Sequence, residues 1–190
     1  MRIHKLISTA FLFVLFISCS EDDGNTNAID QEALIGTWEM IALNADTEFD
    51  GTVSGFPLMA TTNSTGENFN YVLTFTETTY EASGSYDVVT NGTANGEPIE
   101  AQRETVTDAN ERGTYEIVDG ELIIDGELFD FDEANSELEG VELDLNIETT
   151  INSNGELVVE QSGEVTIQLE EGGDVFDVAL DSRIVFRKQQ

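Results

Sequence analysis

The sequence predicts an all-β protein, an antiparallel up-and-down meander that closes into a barrel of about eight strands. Three observations carry that expectation. Apolar and polar residues alternate with period two in run after run, glycine-containing turn dipeptides separate the runs, and no convincing helical pattern follows Leu34. In the clearest run, Val141, Leu143, Leu145 and Ile147 alternate with Glu142, Asp144, Asn146 and Glu148, which gives a strand one buried and one wet face. A meander of this kind loses its exposed edges most simply by closing on itself, although a two-sheet sandwich satisfies the same periodicity.

The chain opens with a basic head, Arg2, His4 and Lys5, followed by an apolar run, Leu6–Ile17, too short to span a bilayer. Phe16-Ile17-Ser18-Cys19 resembles the lipobox of bacterial lipoproteins, with Phe16 where Leu usually stands. The resemblance implies that residues 1–18 are a signal peptide and that cleavage precedes Cys19. It also implies acylation of Cys19 on its sulfur and its new amino terminus, making the lipid bilayer a partner. An ordinary secretory peptide with an incidental cysteine is the alternative. Ser20-Glu21-Asp22-Asp23 is similar to the signal that sends lipoproteins to the outer face of the outer membrane in some diderm bacteria; a solvated acidic linker is the plainer reading. Residues 19–33 thus read as a lipidated cysteine and a flexible acidic tether with a reach of roughly 15–20 Å, and residues 34–190 as one domain.

Within that domain the first strand opens at Leu34–Met40. The polar stretch Asn44–Asn68 reads as a long connection, and such connections often act as lids or binding loops. Tyr71, Leu73 and Phe75 define the next strand, and Tyr80, Ala82, Gly84, Tyr86 and Val88 the one after it. Asp119-Gly120 marks a hairpin between Tyr115–Val118 and Glu121–Ile124, and Asn154-Gly155 another between Leu143–Ile151 and Leu157–Glu160. Gly172-Gly173 separates Val165, Ile167 and Leu169 from Phe176, Val178 and Leu180, after which Ile184 and Phe186 complete the last strand.

Gly36-Thr37-Trp38 stands at the head of the first strand and resembles the Gly-x-Trp signature of lipocalins and lipocalin-like bacterial lipoproteins. The resemblance implies an eight-stranded barrel whose tryptophan closes one end beneath an arginine of the last strand, here Arg183 or Arg187. The second lipocalin signature and the helix after the barrel are not recognisable, so the family does not settle whether a ligand cavity exists.

Composition narrows the chemistry. The chain carries 39 acidic and 7 basic residues, a formal charge of −32; without Arg2 and Lys5 the balance is five against 39, or −34. A surface so acidic repels nucleic acid and anionic lipid. His4 is the only histidine and Cys19 the only cysteine, so the processed chain has no imidazole or free thiol for a Ser-His-Asp triad, a Cys-His pair or an ordinary zinc site. The expectation is therefore a protein without enzymatic activity and without a cofactor; carboxylate-only chemistry such as glycoside hydrolysis stays open on composition, but no particular acidic pair stands out. Asp46-x-Glu48-x-Asp50-Gly51 has the alternating carboxylates that open a calcium loop, but Pro57 stands where the closing glutamate belongs. Phe56, Leu58 and Met59 form an apolar patch suited to line a barrel mouth or to plug it. Two functions follow: a surface lipoprotein that binds a small apolar or amphipathic ligand, or an envelope module whose filled barrel presents acidic loops to a protein partner.

Overall fold

A computed structural model describes residues 28–125, 146–168 and 175–189 of the chain. Eight antiparallel strands account for nearly all of them: β1 (Gly36–Val53), β2 (Phe56–Phe75), β3 (Thr79–Ala94), β4 (Glu97–Val118), β5 (Glu121–Asp125), β6 (Asn146–Ile151), β7 (Glu156–Gln168) and β8 (Val175–Lys188). Their order in the sheet is β5-β4-β3-β2-β1-β8-β7-β6. Sequential strands are neighbours, and β8 returns to pair with β1, so the meander wraps into a barrel closed everywhere except at a seam between β5 and β6. Asp119-Gly120 forms the β4–β5 turn as expected, with φ of 55° and 86°. The alternation at Val141, Leu143 and Leu145 and the Gly172-Gly173 turn lie outside the described residues. Ile147, the last member of that alternation, is in β6 beside the seam and is 54% exposed rather than buried.

The expected long connection at Asn44–Asn68 does not exist. β1 and β2 form one continuous hairpin, paired residue for residue from Asn44↔Thr65 to Val53↔Phe56. Ser54 and Gly55 make its turn with φ of 53° and 83°, the positive pair that two-residue hairpins need. The stretch alternates Thr, Asn, Ser and Ala instead of large apolar residues. It has strand-compatible backbones without the hydrophobic contrast that reveals a strand in sequence. The β3–β4 hairpin turns the same way at Asn95-Gly96, with φ of 50° and 83°.

The chain enters at the end of the barrel where β1 begins, here termed proximal. The Ile29 N–H donates to the Gly120 carbonyl at 2.8 Å, and Ile29 and Leu34 are both buried. A single helical turn, α1 (Gln31–Leu34), fits between them, so the folded body starts some five residues before the expected boundary at residue 34. Burial of Ile29 and Leu34 draws this segment into the core. Trp38, Leu73, Phe75, Tyr80, Leu157 and Phe186 fill the proximal barrel with almost no exposure. Phe75 meets the edge of Tyr115 at a centroid distance of 5.3 Å, and Tyr71 meets Tyr86 in the same way at 5.7 Å.

Candidate functional site

Strand register sorts the inward side chains into rows that cross the barrel. One row runs Gln161–Ser182–Ala45–Ser64–Thr90–Gln102 over six strands. It is small and polar, and it ends the aromatic packing. Ser182 Oγ donates to Gln161 Oε1 at 3.0 Å in a buried pair, while Ser64 and Thr90 share a hydroxyl hydrogen bond of 2.8 Å. Beyond it, towards the distal end, the rows contain Thr47, Thr62 and Gly92, then Phe49, Ala60 and Ala94. Interiors built of Ala, Gly, Ser and Thr leave space that Trp, Tyr and Phe fill elsewhere.

A cavity of about 530 Å³ lies in this distal half, crossing β2, β1, β8 and β7. The residues around it alternate in register: Phe49, Ala60, Val165 and Val178 take the inward positions, while Glu48, Asp50, Met59, Glu164 and Asp177 take the outward, exposed positions between them. Its volume falls within the range of small-molecule sites. Register explains the carboxylates: Asp50 is the cross-strand partner of Asp177, while Glu48 and Glu164 both flank Ala179. Thr166 Oγ1 donates to Asp177 Oδ1 at 2.5 Å, which holds that carboxylate in place.

The residues singled out in sequence distribute as follows. Met59 lines the cavity and Leu58 is partly buried, whereas Phe56 projects from the hairpin tip at 74% exposure. Asn95 ties the tip down: its side-chain oxygen accepts from the Met59 N–H at 2.9 Å, and its own N–H donates to the Met59 carbonyl at 2.7 Å. The patch is thus strand, not lid. Asp46, Glu48 and Asp50 occupy alternate outward positions of β1 instead of a calcium loop, with Asn63 Nδ2 donating to Asp46 at 2.8 Å. Successive outward residues on a strand stand about 7 Å apart, too far to converge on one ion. Among the described residues, no three His, Cys, Asp or Glu side chains are placed to hold a metal. Cys19 lies outside the described residues.

At the closed end the cation over Trp38 is Lys188, 5.2 Å from the ring centroid, and not Arg183 or Arg187. Lys188 is the register partner of Trp38, whereas Arg187 pairs with Glu39 on the opposite face of the sheet. Arg183 and Arg187 instead meet Glu160 at 3.1 Å and Glu156 at 3.4 Å. The Trp38 indole N–H donates to the Leu34 carbonyl at 2.8 Å, so the signature tryptophan also anchors the entering chain.

Where the two halves meet, Tyr71 Oη donates to Glu111 Oε2 at 3.2 Å. Burial, reinforced by the nearby Glu111 charge, pushes the Tyr71 phenol far above its ordinary value. Burial, with Glu111 and Glu104 close by, pushes Tyr86 up to about 12. Sequence reading missed Glu164, Val165, Asp177 and Val178 as cavity residues. They reach Glu48 and Asp50 only through the β1–β8–β7 pairing, which no local motif encodes. Comparison with protein-family models, with curated proteins and with solved structures finds no match to this chain.

Proposed function

We propose that the chain is a non-enzymatic, lipocalin-like lipoprotein of the outer membrane, anchored through acylated Cys19, whose distal barrel binds a small apolar or amphipathic molecule. The observation that carries this reading is the division of the barrel interior. The fully buried aromatic residues Trp38, Phe75, Tyr80 and Phe186 lie in the proximal half, and the distal half combines small inward residues on β1 to β3, Phe49 apart, with a cavity of about 530 Å³. Position supports it as well. The nine residues between Cys19 and Ile29 span at most about 30 Å, and they enter at the packed end. A membrane anchor there holds the closed end towards the bilayer and leaves the cavity facing away from it. Strands as long as β1, 18 residues, carry the tip about 60 Å from that end when extended.

Native mass spectrometry of the full lipidated chain, extracted from its source membranes, tests the reading. The expected result is the acylated mass plus a reproducible, non-covalently bound molecule that exchanges with added fatty acids or metabolites. A clean unliganded mass with no uptake overturns it. A second reading, docking to a protein partner, is favoured by the exposed tip residues Phe56 and Met59. Phe56→Asp separates the two: it lies outside the cavity lining, so it leaves uptake intact and disrupts only a tip-mediated contact.

A further inference from the structure

Resting on the ligand-carrier reading, we infer that the barrel interior takes an uncharged amphiphile whose polar head bonds to Gln161. A primary amide or a similar carbonyl head fits best. Gln161 is 3% exposed and follows Leu157 and Val159 on the inward face of β7. Its Oε1 accepts from Ser182 Oγ at 3.0 Å, and Ser182 is itself buried. Its amide nitrogen has no hydrogen-bond partner among the described residues, and that nitrogen is still accessible. The next inward position on β7 is Gly163, which has no side chain to cover it. An open donor on a buried side chain is a place for a ligand's acceptor, because the donor otherwise goes unused or holds water.

Register decides the charge of the head. The buried pair belongs to the row Gln161–Ser182–Ala45–Ser64–Thr90, in which every residue is neutral. Beyond it on β7, β8 and β1 the inward positions are Gly163, Leu180 and Thr47, then Val165, Val178 and Phe49, again without a charge. The acids of these strands, such as Asp46, Glu164 and Asp181, face outward. The inward acids of β4, Glu104 and Glu111, both lie on the proximal side of the row. A charged head on this floor loses its hydration without meeting an opposite charge, whereas a neutral head exchanges water for the Gln161 amide. The same strands set the apolar body. Val178 and Ile167 are 5% and 6% exposed on the inward face, while β2 and β3 contribute only Thr62, Ala60 and Gly92 at neighbouring levels. About 13 Å of strand separates the Ala45 level from that of Phe49, so the body is a short alkyl chain or a ring system of that length.

The test uses the full chain in zwitterionic nanodiscs, with empty nanodiscs as the blank. Isothermal titration compares octanamide, octylamine and octanoate, which share an alkyl body and differ in the charge of the head. The expected result is one-to-one binding of octanamide, at least tenfold tighter than either ion. Gln161→Met with Ser182→Ala removes both members of the buried pair, which a fold tolerates better than losing one, and it weakens octanamide tenfold or more. Thr37→Val with Thr74→Val removes a cross-strand hydroxyl pair on the outward face and leaves octanamide binding unchanged. A second measurement needs no variant: the Gln161 side-chain amide resonance of the native chain shifts on adding octanamide and stays in place on adding octylamine. Equal affinity for the three probes overturns the headgroup inference while leaving the carrier reading standing, and so does octanamide binding that the inward variant does not weaken. Tighter binding of octylamine assigns the attraction to the acidic surface at large and overturns the inference too. Binding of none of the three probes overturns the headgroup inference, and the carrier reading is then decided separately by the mass of the native extract.

Discussion

On the proximal side of the Gln161–Gln102 row, the strands turn Trp38, Leu73, Tyr80, Leu157 and Phe186 into the barrel; on the distal side, β1, β2 and β3 turn in Thr47, Thr62, Gly92 and Ala94, with Phe49 as the one large side chain among them. Pairing continues across the boundary from β4 round to β7, so backbone hydrogen bonding alone does not distinguish the halves. Side-chain volume does. The proximal half gains its stability from close-packed apolar surface, while the distal half is held largely by ladder hydrogen bonds and cross-strand threonine, serine and asparagine contacts such as Thr61–Thr93 at 3.1 Å. A barrel built this way can anchor a stable end and keep space at the other.

Removing a large proximal side chain is the strongest way to break that contrast. Trp38→Ala empties the closed end and releases the Leu34 carbonyl, and it should cost about 3–5 kcal/mol by urea unfolding. Thr62→Ala in the distal half should cost under about 1 kcal/mol. Comparable losses at the two sites would mean that the halves are not energetically distinct. Gly84→Ala comes next. Gly84 has φ of 130° beside a register shift, and a Cβ there would collide with the Asn70 carbonyl oxygen. The expected loss is about 2 kcal/mol, since neither the backbone angle nor the space accommodates a side chain.

The same contrast explains how much was legible in sequence. Proximal strands announce themselves through Tyr71-Leu73-Phe75 and Tyr80-Ala82, where inward aromatic and apolar residues alternate with polar ones. The distal parts of β1 and β2 alternate Ala45, Thr47 and Phe49 with Asp46, Glu48 and Asp50, and then Thr, Asn and Ser, a pattern with little hydropathy difference. Their turn signals were present all the same: Ser54-Gly55 and Asn95-Gly96 each stand between strand-compatible runs. The cavity was half legible. Met59, Glu48 and Asp50 drew attention for an apolar patch and a calcium-like spacing. Asp177 and Glu164 join them through a register that depends on β8 returning to β1. Choosing Lys188 over Arg183 or Arg187 likewise needed the bulge between Met40 and Ala42 and the exact pairing of the final residues.

Alkaline titration sharpens the boundary between the halves. With its folded value raised to about 12, Tyr86 favours the folded state below the unfolded value near 10. That contribution is lost as pH rises from about 10 towards 12, because the unfolded chain ionises first. Between neutral pH and about 9.5 this contribution is constant, and above that stability should decline, with a smaller decline in Tyr86→Phe. Tyrosinate absorbance should show a phenol titrating near pH 12, below the still later Tyr71, and Tyr86→Phe should remove that step alone. A phenol at position 86 that ionises near pH 10 would mean that water already reaches the boundary.

The smallest effect concerns how the proximal end is sealed. Lys188 lies across Gly36, where a Cβ would come within 2.8 Å of its Cε, and it reaches both the Trp38 ring and the Ala33 carbonyl. The cation–π contact contributes about 0.5–1 kcal/mol at a partly exposed site, and the hydrogen bond contributes a similar amount. Lys188→Met keeps most of the stem and removes both, so the expected loss is about 1 kcal/mol. Arg183→Met breaks an ion pair exposed on both sides and Arg187→Met one exposed on the arginine side, and each should cost less than Lys188→Met. Salt separates the cases further, because screening weakens the exposed pairs more than a contact lying over a buried ring. If Arg187→Met matched Lys188→Met at every salt concentration, the lysine would be one more surface charge, and the seal over Trp38 would rest on Leu34 and the indole hydrogen bond alone.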